Sequence, residues 1–164
     1  MAVKGSEPTP GVIVPCLVVA DVDQALRFYR DAFGAEELYR SPCAGGVGLH
    51  VNIRIWNSLV CLSQEEPRVR SDRVEYSMLA SPGTLGGSTC IFQVRVPDAN
   101  ETFERAVRSG AAPTIPPTDM FWGDRYGLVQ DPFGYMWAII TVREVLAPGD
   151  IAERLGLPVG GKQQ

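Results

Sequence analysis

The chain has 164 residues and a mass of 17.8 kDa, with 45% hydrophobic and 21% charged residues. That size and balance fit one ordinary domain or two very small ones, and exclude a disordered acidic tail or a coiled coil. Fifteen Lys and Arg against nineteen Asp and Glu give a net charge of −4 without a basic cluster, which argues against nucleic acid as a partner. No apolar run approaches the ~20 residues that span a bilayer.

Residues 1–10 hold one Lys and no apolar stretch of the kind a secretory signal needs. They are expected to be disordered. The four Cys (Cys16, Cys43, Cys61, Cys90) form no C-x-x-C pair, so reduced thiols in the cytoplasm are expected. Three of them lie in apolar, strand-like runs, where a small buried thiol is the ordinary reading.

Residues 12–20 (VIVPCLVVA) are β-branched and apolar, and predict a buried strand. Asp21 and Gln24 form a capping-box pattern, Val22, Ala25, Leu26, Tyr29 and Phe33 recur at helical spacing, and Gly34 supplies the stop. Strands are predicted at 36–41, 48–55 and 59–63, with Trp56-Asn57-Ser58 as the turn between the last two. This makes one β-α-β-β-β module over residues 11–66. Residues 67–87, with Pro67, Pro82 and a Gly-rich end, read as a linker carrying a short strand near 74–79.

The pattern then restarts. Residues 89–96 (TCIFQVRV) predict a strand, Asp98 with Glu101 repeats the capping box, and Phe103, Ala106 and Val107 form a helix face that ends at Ser109 and Gly110. Strands follow at 112–115, 126–130 and 136–142, and Asp131-Pro132-Phe133-Gly134 makes the tight turn before the last. The second module thus occupies 88–146, a short C-terminal helix 147–157, and a frayed tail 158–164. Aligning Gly34 with Gly110 gives an internal repeat of about 76 residues. The fold class is α+β: two tandem β-α-β-β-β modules forming curved mixed sheets around a cleft.

The repeat and its punctuation resemble the vicinal oxygen chelate superfamily, the glyoxalase, bleomycin-resistance and extradiol-dioxygenase group. The most specific stretches are residues 121–127 (FWGDRYG), 131–137 (DPFGYMW), 82–87 (PGTLGG) and 50–55 (HVNIRI), which look like its PhnB-like subfamily. The resemblance covers roughly residues 11–155. It implies the paired-module fold, a cleft for a small molecule and a homodimer, since related proteins complete their sites by pairing two chains. It does not by itself give an activity.

In metal-dependent members, His and Glu ligands come from equivalent strands of both modules. Carried over here, those positions fall on Val14, near Cys90, near Cys61 and on Ala138. Val and Ala coordinate nothing, the chain has a single His, and neither final strand contains Glu, Asp or His. Cys61 and Cys90 with His50 could hold only a soft ion. No metal and no cofactor are expected, and metal-dependent glyoxalase or dioxygenase chemistry is rejected.

The remaining candidates are ligand-binding residues: Trp56, Phe92, Phe121, Trp122, Asp124, Arg125, Tyr126, His50, Cys61 and Cys90. Aromatic faces bury flat ligands well, whereas Trp137 and Phe133 read as core. Asp124 beside Arg125 could do acid–base work but reads first as a network fixing the Trp122 loop. No G-x-S-x-G or phosphate-cradling loop is present. The expectation is a metal-free protein that sequesters an apolar or aromatic small molecule. The alternative is a metal-independent lyase or isomerase using Asp124, Arg125 or His50, and a chiefly structural dimer is a third possibility.

Overall fold

The computed structural model describes residues 13–42, 48–65, 69–71, 74–76 and 80–157. The expectations for residues 1–10 and 158–164, and the position of Cys43, lie outside these. The first sheet contains β1 (Cys16–Val19), β2 (Glu36–Pro42), β3 (Leu49–Ile55) and β4 (Ser58–Gln64) in the order β1-β4-β3-β2. β1 runs parallel to β4 and the other pairs are antiparallel. β5 (Val69–Ser71) and β6 (Val74–Tyr76) form a separate hairpin, followed by the short helix α2 (Pro82–Leu85). The second sheet repeats the first: β7 (Ile91–Arg95), β8 (Ala112–Asp119), β9 (Asp124–Gln130) and β10 (Met136–Val142) in the order β7-β10-β9-β8, with β7 parallel to β10. The expected α+β class and paired mixed sheets are what the chain adopts.

The two long helices form where their caps and apolar stripes coincide. Asp21 Oδ1 accepts the Gln24 N–H at 2.9 Å and starts α1 (Val22–Phe33). Gly34, at φ 70°, ends it, a left-handed position that a β-carbon would strain. Asp98 Oδ1 accepts the Asn100 and Glu101 N–H groups at 2.8 and 3.1 Å and starts α3 (Ala99–Arg108). α1 buries Val22, Ala25, Tyr29 and Phe33, and packs on β3, β4 and α3. One apolar core therefore serves both modules, and Arg105 Nε closes it by donating to Ala32 O at 2.7 Å.

Several elements differ from expectation for local reasons. β1 is four residues long, because Pro15 has no N–H to give a ladder and Ile13 and Val14 are not in the sheet. β8 runs on to Asp119 through Pro116 and Pro117, which an edge strand tolerates with register shifts. The strand expected at 74–79 is β6, of which 77–79 lie outside the described residues. The helix α4 (Pro148–Arg154) buries no residue fully, with Gly149, Ile151 and Ala152 half-buried. No helix among the described residues is long and apolar enough to cross a membrane.

Candidate functional site

Each sheet lays one face on its helix and turns the other away. On β3, Val51, Ile53 and Ile55 face α1, so His50, Asn52 and Arg54 face outward. The register places Ser63, Cys61 and Leu59 of β4 directly opposite them, and Cys16 beside Cys61. This second face is mostly polar, with Leu59 exposed and Ser63 fully buried. On the second sheet Trp137 and Ile139 face the core, and Met136, Ala138 and Ile140 turn outward with Leu128 and Tyr126 into a small apolar cluster.

Where the modules meet, the edge strands β1 and β7 do not pair with each other. Between them lies a groove of about 480 Å³, within the ~300–1,000 Å³ range of ligand sites. One wall is the lead-in to β1 (Ile13, Pro15) with the β3–β4 turn, and the other is β7 from Phe92 to Arg95. Trp56 stands in that turn at φ 50°, a left-handed conformation that bulky residues avoid. Its ring lies 5.9 Å from that of Phe33, and Phe92 lies 5.0 Å from Trp137. Of the candidate residues the groove gathers Trp56 and Phe92. Ile13, Pro15, Gln93 and Arg95 were not anticipated, since only the relative placement of the modules brings them there.

The other candidates lie elsewhere. Phe121 and Trp122 pack edge to face at 4.8 Å in the turn before β9, and Trp122 meets Tyr126 the same way at 6.1 Å. Trp122 Nε1 donates to Asp124 Oδ2 at 3.1 Å, while Arg125 bonds Asn100 Oδ1 (3.0 Å) and Asp119 Oδ1 (2.8 Å). Asp124 and Arg125 thus pair with other groups and not with each other, and they hold the loop. The loop needs Gly123: its φ is 97°, and a β-carbon there would meet Glu144 O at 2.5 Å. His50 lies on the first sheet, remote in the ladder from Asp124 and Arg125 on the second.

The thiols are not buried as small hydrophobes. Cys16 and Cys90 are exposed and Cys61 is half-buried, because their side chains fall on the outward face or at a strand start. Cys61 Sγ lies 4.0 Å from His50 Nδ1. Burial, with Cys16 close by, pushes the Cys61 thiol up to about 11, so it is protonated near neutrality and no activated nucleophile.

The DPFG turn is the hub of the core. Asp131 Oδ2 accepts from Tyr29 Oη (2.6 Å) and Trp137 Nε1 (2.9 Å), and Oδ1 from the Phe133 and Tyr135 N–H groups (2.9 Å each). Burial pushes its carboxyl up, against the pull of these donors. Burial and then the Asp131 charge hold the Tyr29 phenol well above its usual range. Tyr135 Oη reaches across to the first module, accepting the Val18 N–H at 2.7 Å and donating to Val18 O at 3.0 Å.

A family model described as the Glyoxalase/Bleomycin resistance protein/Dioxygenase superfamily matches residues 11–139. The chain belongs to this superfamily. Within it, the chain is 39% identical over 132 residues to Mb0911c of Mycobacterium bovis, a match that spans 80% of this chain and 84% of the relative. Rv0887c of Mycobacterium tuberculosis matches at the same identity, over 80% and 75%. Among solved structures, TioX from Micromonospora sp. ML1 is 29% identical with a TM-score of 0.58, covering 79% of this chain and 97% of that one. The fosfomycin resistance protein FosX from Mesorhizobium loti shares the fold at 18% identity and a TM-score of 0.56, over 91% and 99%.

The metal that some glyoxalase-superfamily enzymes use does not fit the donors here. Ala138 takes an outward position on β10, Val14 precedes β1, and no three His, Cys, Asp or Glu side chains converge on a metal-sized site among the described residues.

Proposed function

We propose that this superfamily member is a binding protein that takes up an apolar or aromatic small molecule without a metal. The observation that carries the reading is the groove at the module seam, where Trp56, Phe92 and Trp137 line a volume fit for a drug-sized molecule. The poor donor set supports a site that holds its ligand by shape and ring contact and leaves it unchanged. Residues 121–127 and 131–137 support a place in the PhnB-like branch. Ile91 and Val142, exposed large apolar side chains at the side of the second sheet, support a homodimer, which light scattering on the eluting protein would measure.

The test is calorimetric titration with 2-naphthoate, alongside the Trp56→Ala variant. Saturable binding to the natural chain, a loss of about tenfold in the variant, and naphthoate recovered unchanged would support the reading. Absence of saturation, or an equal affinity in the variant, would refute it.

A further inference from the structure

One wall of the groove is backbone that no described residue pairs with. Val96 N donates to Ile140 O at 2.8 Å, so in the period-two alternation of a parallel ladder Phe92 and Val94 direct their N–H and C=O groups to β10. Gln93 and Arg95 direct theirs the other way, toward the groove, and no described residue meets them. The side chains follow the same alternation. Phe92 and Val94 pack down onto the core while those of Gln93 and Arg95 are exposed. Arg95 makes no ion pair with any described residue, in a chain where Arg40, Arg54, Arg125 and Arg154 each do.

The facing edge is closed at one point. Pro15 and Val19 accept from β4, so Cys16 and Val18 face outward, and the backbone of Val18 is taken by the Tyr135 hydroxyl. The opening therefore lies beyond Tyr135, along β7, and it presents three features in sequence: aromatic rings at Trp56 and Phe92, an N–H and C=O pair at Gln93 that no described residue meets, and a cation at Arg95.

From this arrangement we infer that the ligand is peptide-like: an extended molecule of a few residues that adds a short strand to β7. Its aromatic side group rests against Trp56 and Phe92. The ligand runs parallel to β7: its aromatic residue lies opposite Phe92 and accepts the Gln93 N–H at its carbonyl, and the residue two positions further on donates its N–H to Gln93 O. A terminal carboxylate meets Arg95. Strand addition of this kind takes affinity from main-chain bonds and specificity from the side-chain pocket. A flat hydrocarbon would leave both backbone groups and the cation unmatched. The inference rests on the groove being the ligand site.

The probe is N-acetyl-L-tryptophylglycylglycine, titrated against the 164-residue chain by calorimetry and by amide chemical shifts. The comparison compounds are its analogue methylated on the C-terminal glycine nitrogen, its C-terminal carboxamide and 2-naphthoate. The expected result is saturable binding with shifts at the Gln93 and Arg95 amides, and a loss of about tenfold on N-methylation, the scale of one buried hydrogen bond and its unpaired partner. Arg95→Gln should weaken the acid and leave the carboxamide unchanged. Equal affinities for the peptide, its N-methyl analogue and naphthoate would overturn strand addition and leave the aromatic groove standing. Failure of both naphthoate and peptide to bind would overturn the groove itself.

Discussion

Replacing Tyr135 with Phe removes one oxygen and tests the joint between the modules. The phenol accepts the Val18 N–H at 2.7 Å and donates to Val18 O at 3.0 Å. Val18 is 8% exposed and Tyr135 9%, so water has little access to the groups left behind. Two neutral hydrogen bonds contribute ~0.5–1.5 kcal/mol each, and a buried group left unpaired costs ~1–3 kcal/mol. The ring itself remains and fills its space, so no cavity term is added. The expected loss is about 2–4 kcal/mol, or ~4–16 °C in Tm for a chain of this size. Urea unfolding should give this loss as a lower midpoint at unchanged slope. Hydrogen exchange should single out the Val18 amide, which loses the Tyr135 acceptor and should exchange faster than its neighbours in β1. A variant within 0.5 kcal/mol of the natural chain, with Val18 still protected, would refute the claim that this hydroxyl completes the edge of β1.

Asp131→Asn should cost about 2 kcal/mol, because the new amide keeps one acceptor atom where two now serve four donors, leaving a buried N–H such as that of Trp137 unpaired; a urea midpoint measures it. At alkaline pH the buried Tyr29 and Tyr135 phenols, both raised by burial foremost, keep their protons while the unfolded chain loses them above pH ~10. The folded state then binds more protons, so stability is full below about pH 10 and falls as the pH rises further; Tm measured at steps from pH 8 to 11 should show a downturn, and Tyr135→Phe should shrink it. Ser63 Oγ is buried and no described residue hydrogen-bonds to it, so Ser63→Ala should be neutral or raise stability by up to ~1 kcal/mol in the same unfolding assay.

The helices were readable in the amino acids because caps and apolar stripes are local signals. Asp21, Gly34 and Asp98 act at the positions their chemistry predicts, and the DPFG turn falls where it should. Trp137 was readable as core for the same reason, lying in an apolar run after a turn. Which face each strand shows was not readable in residues 12–20 or 59–63, since a continuous apolar run carries no alternation. That is why Cys16 and Cys61 emerge on the outward face although small thiols in such runs are usually buried. Of the candidate binding residues, Trp56 and Phe92 come together while His50 and the residues 121–126 go elsewhere. Their placement depends on how two modules meet. So does the link between Tyr135 and Val18, which are 117 positions apart.

Every strand of the first sheet comes from one uninterrupted stretch, and every strand of the second from another. The consequence is one of timing on the ribosome. The first sheet is complete once Gln64 has left the exit tunnel, but the rings of Tyr29 and Phe33 wait for Trp137 to cover them. At the usual ~5–20 residues per second that wait lasts roughly 4–15 s. For those seconds a nascent chain carries a finished ladder with an uncovered aromatic flank, and that interval is when a holdase or a neighbouring chain has its best access to it.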